Sequence, residues 1–391
     1  MLKELMREMV GTQSSDLHLK VGRPPLFRRR GELEPSDHDI LTDDEVQKML
    51  YEMMTEHQRE RFERDWEVDL AYHLPKEARF RVNGYFQRGH VSVAIRLIPE
   101  EVPSIDELRL PQVLKEMAVR KQGLVLVTGP TGSGKTTTQA AIIEHINRNQ
   151  HRHVITIEDP VEYVFTDKKS TIDQREIGTD TRSHKEALRR VLRQDPDVIL
   201  MGEMRDAETI EIGLHAAETG HLVLSTLHTN DAKQTVDRIL DTMGSAMASQ
   251  YRLMLSLNIL AVLSQRLLPR ADGAGRVAAV EVLINSPHTS ELIREGKTVE
   301  LQDAIAGSKS YYQMQTFNQA LIRLVQDGLI TAEVALEFTD APGDLRLMLR
   351  GVGTGAEAAT ATKEKLDAKA DVKPEAEGGE RGSPSSQRFK F

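Results

Sequence analysis

Residues 14–34, SSDLHLKVGRPPLFRRRGELE, alternate apolar and polar side chains and break at Pro24-Pro25 and Gly31. That period of two predicts two strands of a hairpin-like unit. Over 41–54, LTDDEVQKMLYEMM, apolar residues return at helical spacing behind Thr42 and an acidic first turn, which predicts a capped helix. WEVDLAYHL (66–74) and ARFRVNGYFQRGHVSVAIRLIP (78–99) alternate again and predict antiparallel strands. Residues 1–100 therefore read as a small α+β domain on a mostly antiparallel sheet. Pro99, Pro103 and Pro111 punctuate the crossing, and 101–111 is expected to be a linker.

From 112 to 351 the pattern changes. Short apolar runs at 123–128, 153–158, 197–201 and 221–226 alternate with amphipathic stretches, as in an α/β domain with a mainly parallel sheet. The part after 245 is expected to be mostly helical. MQTFNQALIRLVQDGLITAEVAL (314–336) predicts two amphipathic helices parted at Gly328. Residues 352–391 hold few large apolar side chains and are expected to be a disordered tail, because so little burial cannot offset the entropy of ordering.

Chemistry enters between two apolar runs. After Leu124–Val127 comes G-x-x-x-x-G-K-T, made of Gly129, Pro130, Thr131, Gly132, Ser133, Gly134, Lys135 and Thr136, with Thr137 behind it. A strand before it and apolar helical spacing after it are the context that a phosphate-binding P-loop requires. Glycines let backbone N–H groups turn inward around a phosphate, and the helix N-terminus adds positive charge. Lys135 is placed to reach the β- and γ-phosphates of ATP, and the Thr136 hydroxyl to hold Mg²⁺.

Acidic partners follow on other strands. RQDPDVILMGEMRD (193–206) runs from a buried strand into Gly202 and Glu203, a position where a carboxylate organises the shell of Mg²⁺ or orients water. VITIEDPVEYVF (154–165) ends another strand in Glu158, Asp159 and Glu162, and Glu158 is the candidate for activating water. ETGHLVLSTLHTND (218–231) sets His221 and His228 on either side of a strand, with His228 placed to sense a γ-phosphate. Arg79, Arg81, Arg88 and Arg96 lie on adjacent strands of the first domain. They read either as a solvated sheet face or as arginine fingers toward a neighbouring subunit's nucleotide.

Composition narrows the classes. The 391 residues are 39% hydrophobic and 28% charged, as in a globular protein of two or three domains. With no cysteine, disulfides, cysteine zinc sites and thiol catalysis are excluded. No membrane span or signal pattern is seen, so a cytoplasmic location is the default. A net charge of −9 argues against a nucleic-acid translocase, the competing reading of an ATP-driven ring.

Taken together, GPTGSGKTTT, TIEDPVEY, ALRRVLRQDPDVILMGEMRD, AAETGHLVLSTLHTND and MQTFNQAL resemble the type IV pilus motor ATPases of the PilT/PilU family, within the type II/IV secretion ATPases. The resemblance implies a PAS-like N-terminal domain, a RecA-like ATPase domain and a ring-shaped homohexamer with ATP shared between subunits. It implies Glu158 as catalytic carboxylate, Glu203 in Walker B, His221 and His228 in a "His box" with His221 at the nucleotide, and arginine fingers among Arg79, Arg81 and Arg96. Without cysteine the chain lacks the tetracysteine module of extension motors and resembles the retraction branch, which drives twitching motility. NSPHTSELIREGK carries His288, Thr289 and Ser290 where PilT-type motors carry Ala-Ile-Arg, and together with SLNILAVLSQRLLPRADGAGRVAAVEVLIN (256–285) this is closer to the PilU side. The partners implied are a PilT-type motor paralogue and an inner-membrane pilus platform protein, with the chain peripheral at the membrane and no nucleic acid. An ATP-binding accessory subunit of another motor is the remaining alternative.

Overall fold

Thr42 caps the helix Asp43–Glu52 as its sequence requires. Its hydroxyl accepts from the Glu45 N–H, and the Glu45 carboxylate accepts from the Thr42 N–H at 2.8 Å. This helix, together with Leu2–Gly11 and Glu56–Asp65, packs with a six-stranded sheet. The computed structural model describes residues 1–352 except 30, 76, 99–100 and 245–246. The expected tail lies, from 353 onward, outside the described residues.

The first sheet comprises β1 (Asp16–Lys20), β2 (Leu26–Arg29), β3 (Glu32–Pro35), β4 (Glu67–Leu74), β5 (Ala78–Gln87) and β6 (His90–Ile98). Its order is β3-β2-β1-β6-β5-β4, and every pairing is antiparallel. Alternation holds in β5. Phe80 and Val82 are buried in the N-terminal core, while Arg79 and Arg81 share the opposite face. Arg81 is directly opposite Arg96 on β6. The expected two-stranded hairpin gains a third strand, β3, whose four residues are all exposed.

The second sheet comprises β7 (Gly123–Thr128), β8 (His153–Glu158), β9 (Thr171–Glu176), β10 (Val198–Met201), β11 (Leu222–Leu227), β12 (Ile259–Pro269) and β13 (Arg276–Ile284). Its order is β13-β12-β7-β11-β10-β8-β9. All pairings are parallel except β12 with β13. Leu124, Val125, Leu126 and Val127 are each at most 1% exposed. Burying such a side chain contributes roughly 1.5–3 kcal/mol, so the strand that leads into the phosphate loop is anchored in the core.

The part after 245 is mostly helical, as expected, and it also carries two strands that the pattern did not show. β12 and β13 run 11 and 9 residues and close one edge of the sheet. Residues Met1–Thr331 form one compact unit. A second begins at Ala332 and contains the helices Ala332–Phe338 and Pro342–Val352. The helix Phe317–Gln326 ends before Gly328, whose φ of 66° makes the expected break.

Candidate active site

β7 delivers Gly129 to Gly134 at its carboxyl end, and the helix Lys135–Asn149 leaves the loop. Gly129, Gly132 and Gly134 take φ of 141°, 77° and 87°, which favour glycine. At Gly129 space also matters, since a Cβ there would sit 2.3 Å from the carbonyl oxygen of Gln265. Lys135 Nζ folds over the loop and donates to the carbonyls of Gly129 at 2.8 Å and Pro130 at 3.0 Å. Burial pushes its ammonium down, and Glu203 and Glu162 pull it part of the way back. Thr136 lies in the first turn, and Thr137 Oγ1 is 3.0 Å from the Tyr163 hydroxyl.

Three more groups lie at the carboxyl ends of the neighbouring strands, in spatial order. His228 follows β11, Glu203 follows β10 and Glu158 ends β8. At about 4.8 Å per strand, β8 is about 14 Å from β7, so the row spans a polyphosphate rather than a point. Glu158 is 8% exposed. Its Oε1 accepts from Thr156 Oγ1 at 2.6 Å and from Gln174 Nε2 at 3.2 Å. Burial pushes this carboxyl up, and the hydrogen bonds offset only part of the rise. A buried carboxylate with a raised pKa suits proton acceptance.

Glu203 differs. Burial pushes it up, but hydrogen bonding to Arg205 and the charges of Arg205, His228 and His184 hold it below the usual range. His228 Nε2 is 3.5 Å from Glu203 Oε2. The turn is pinned on both sides. Gly202 N donates to the Ile157 carbonyl at 3.0 Å, and Thr226 Oγ1 donates to the Gly202 carbonyl at 2.8 Å. Glu203 is thus the more acidic member of the row, suited to ordering a cation's water shell, and Glu158 the more basic one.

The structure does not bring His221 to this place. Leu222 pairs with Gly123 and Leu227 with Thr128, so His221 stands at the amino end of β11, about 20 Å from the loop. Its Nδ1 lies 2.9 Å from the Ala216 carbonyl. The expectation that His221 holds the nucleotide bound by its own chain is corrected on that ground.

The arginines also have definite partners. Arg79 Nη2 donates to Glu176 Oε2 at 3.0 Å, and the same oxygen accepts from Val161 N at 3.1 Å. Arg81 pairs with Asp69 at 2.6 Å and with Glu162 at 3.4 Å. Arg96 Nε donates to Asp16 at 2.8 Å, and its side chain is 69% exposed. Arg79 and Arg81 therefore tie the first sheet to the segment after Glu158, within one chain. Arg88, in the turn after β5, has a φ of 51°.

A profile described as "Type II/IV secretion system protein" matches residues 1–337. The chain belongs to that family. Among its members, the chain is 43% identical over 341 residues to the "Type IV pilus retractation ATPase PilT" of Pseudomonas aeruginosa, covering 87% of this chain and 98% of that protein. It is 41% identical over 348 residues to the "Type IV pilus ATPase PilU" of the same organism, covering 89% and 91%. Among solved structures, "Crystal Structure of the Pilus Retraction Motor PilT and Bound ADP" matches with a TM-score of 0.82 and 46% identity, over 88% of this chain and 98% of that one. As a secretion-family member of this kind the chain is an ATPase. Identity stands level between PilT and PilU, so the leaning toward PilU rests on His288, Thr289 and Ser290 together with the stretch 256–285. Two of the three residues have local roles. Thr289 completes a capping box with Ser286, and Ser290 Oγ donates to the Ser256 carbonyl at 2.8 Å.

Sequence reasoning missed four residues that contact the row or the loop. Gln174 reaches Glu158 from β9, and Gln265 reaches the phosphate loop from β12. Arg205 and His184 flank Glu203. Arg205 was visible within the quoted MRD segment, whereas the two glutamines are polar positions on strands that had not been foreseen.

Proposed function

We propose that this chain is a motor of type IV pilus retraction that hydrolyses ATP as a homohexameric ring. The observation that carries the reading is the row of Lys135, His228, Glu203 and buried Glu158 at one end of the sheet. Support comes from the match to PilT relatives over nearly their whole length. The phosphate loop binds the triphosphate, and Thr136 with Glu203 fits Mg²⁺, a cation that keeps most of its waters and takes few protein ligands. When bound, Mg²⁺ neutralises charge building on the phosphates. Glu158 accepts the proton of the attacking water, and His228 reads the γ-phosphate beside Glu203. Arginines of the first sheet, among Arg79, Arg81 and Arg96, supply positive charge to a neighbour's nucleotide. The force passes to an inner-membrane platform protein at the pilus base. Among the described residues no helix is long and apolar enough to cross a membrane, so the proposed attachment is peripheral.

A second reading has one observation in its favour, the departure at His288–Ser290. On it the chain assists a PilT-type paralogue rather than retracting pili alone. The test combines steady-state hydrolysis of the purified ring, with and without that paralogue, and deletion of the gene. Piliated, non-twitching cells and paralogue-independent hydrolysis are expected. Normal twitching would overturn the retraction reading.

A further inference from the structure

We propose that Gln265, on β12, is the positioning residue that sets the shape of the phosphate loop. It is 1% exposed. Its Nε2 donates to the Ser133 carbonyl at 2.6 Å, and its Oε1 accepts from Thr138 Oγ1 at 2.9 Å. A carbonyl can only accept, so the Ser133 bond fixes which end of the amide is nitrogen, and Thr138 satisfies the other end. One side chain thus staples the last turn of the loop to the first turn of the following helix.

The consequence is directional. In a trans peptide the C=O and N–H point opposite ways. Drawing the Ser133 carbonyl toward β12 therefore turns the Gly134 N–H away from β12, toward the concave side where a phosphate is held. The backbone of the same residue crowds the loop's other end, since its carbonyl oxygen lies 2.3 Å from where a Gly129 Cβ would be. A second buried bond holds the strands together below, from Thr128 Oγ1 to Ser264 Oγ at 2.8 Å. β12 thus acts as a mould against which the loop is held in its phosphate-binding form before any nucleotide arrives. That is the preorganisation which lowers the cost of binding.

This rests on the chain being an ATPase, and wild-type turnover with MgATP, measured in parallel, tests that reading separately. Gln265→Leu removes both bonds at similar volume, and Gln265→Glu keeps the acceptor but loses the donor. Both should raise KM for MgATP about tenfold, equivalent to about 1.4 kcal/mol, while kcat of the assembled protein stays within about threefold. A purely structural role would lower the melting temperature without moving KM measured well below it. Thr138→Val, which strips the amide of its partner, should raise KM in the same direction, and Thr138→Ser should restore it. If the Gln265 variants do not fold, the Thr138 pair decides by the same criterion. A KM within twofold of wild type in the folded variants, or a loss confined to kcat, would overturn the proposal.

Discussion

Glu158 has to stay buried and still become charged. Its pKa is raised by burial, so the folded state binds its proton more tightly than the unfolded chain does. Stability from this group therefore falls as pH rises from the ordinary carboxylate range through the raised folded value, and the cost is complete above it. Glu158→Gln removes that cost and leaves Thr156 and Gln174 a carbonyl to donate to. Hydrolysis by this variant should drop about 10²–10⁴-fold while ADP binding persists. Its melting temperature at pH 7 should equal or exceed that of wild type, and a clear decrease in calorimetry would contradict the burial argument. The acid limb of the wild-type rate profile should lie above the ordinary glutamate range. Lys135→Ala should abolish turnover without unfolding the chain, because its Nζ meets only loop carbonyls that the fold does not depend on. Unaltered turnover would mean that phosphate is gripped elsewhere.

Among elements, the helix Ala207–Glu218 shows how local chemistry holds the chain just after the turn that carries Glu203. Asp206 caps it, accepting from Thr209 N at 3.0 Å, two residues after the turn that carries Glu203 and Met204. Asp206→Ala should cost about 1 kcal/mol in urea unfolding, and Asp206→Asn much less, since asparagine caps as well. Equal losses in both would assign the effect to the neighbouring Lys185 ion pair instead. The helix Asp43–Glu52 and strands β7, β8, β10 and β11 were legible because period and caps agreed with the final fold. β12 was not. ILAVLSQRLLP (259–269) buries Ala261 to Gln265 in unbroken succession, and such a run has no period that separates strand from helix. β9 was missed for the opposite reason, because TIDQRE at a sheet edge is mostly polar. The P-loop and its two carboxylates could be read because their residue types are tied to chemistry. Gln174 and Gln265 could not, because a glutamine acquires its role only from what the strands place beside it.

At the scale of the whole molecule, the ring is tested by mixing chains. A Lys135→Ala chain keeps its arginines, and a chain altered at Arg79, Arg81 or Arg96 keeps its P-loop. Co-assembled rings should regain hydrolysis at junctions that pair one intact half from each chain. Mixed rings of confirmed mass with no regain for any arginine would exclude catalysis across the interface. Since Arg79 and Arg81 are ion-paired within their own chain, a regain for either requires that they release Glu176 or Asp69. The order of the second sheet adds a constraint in time. β7 and β8 are successive in sequence, yet β11 and β10 lie between them, and β12 flanks β7 from the far side. During synthesis the ribosome releases the phosphate loop more than a hundred residues before Gln265. Until that strand emerges and docks, the nascent chain carries every residue of the loop but lacks the wall that shapes it, and non-local pairing of this kind forms late.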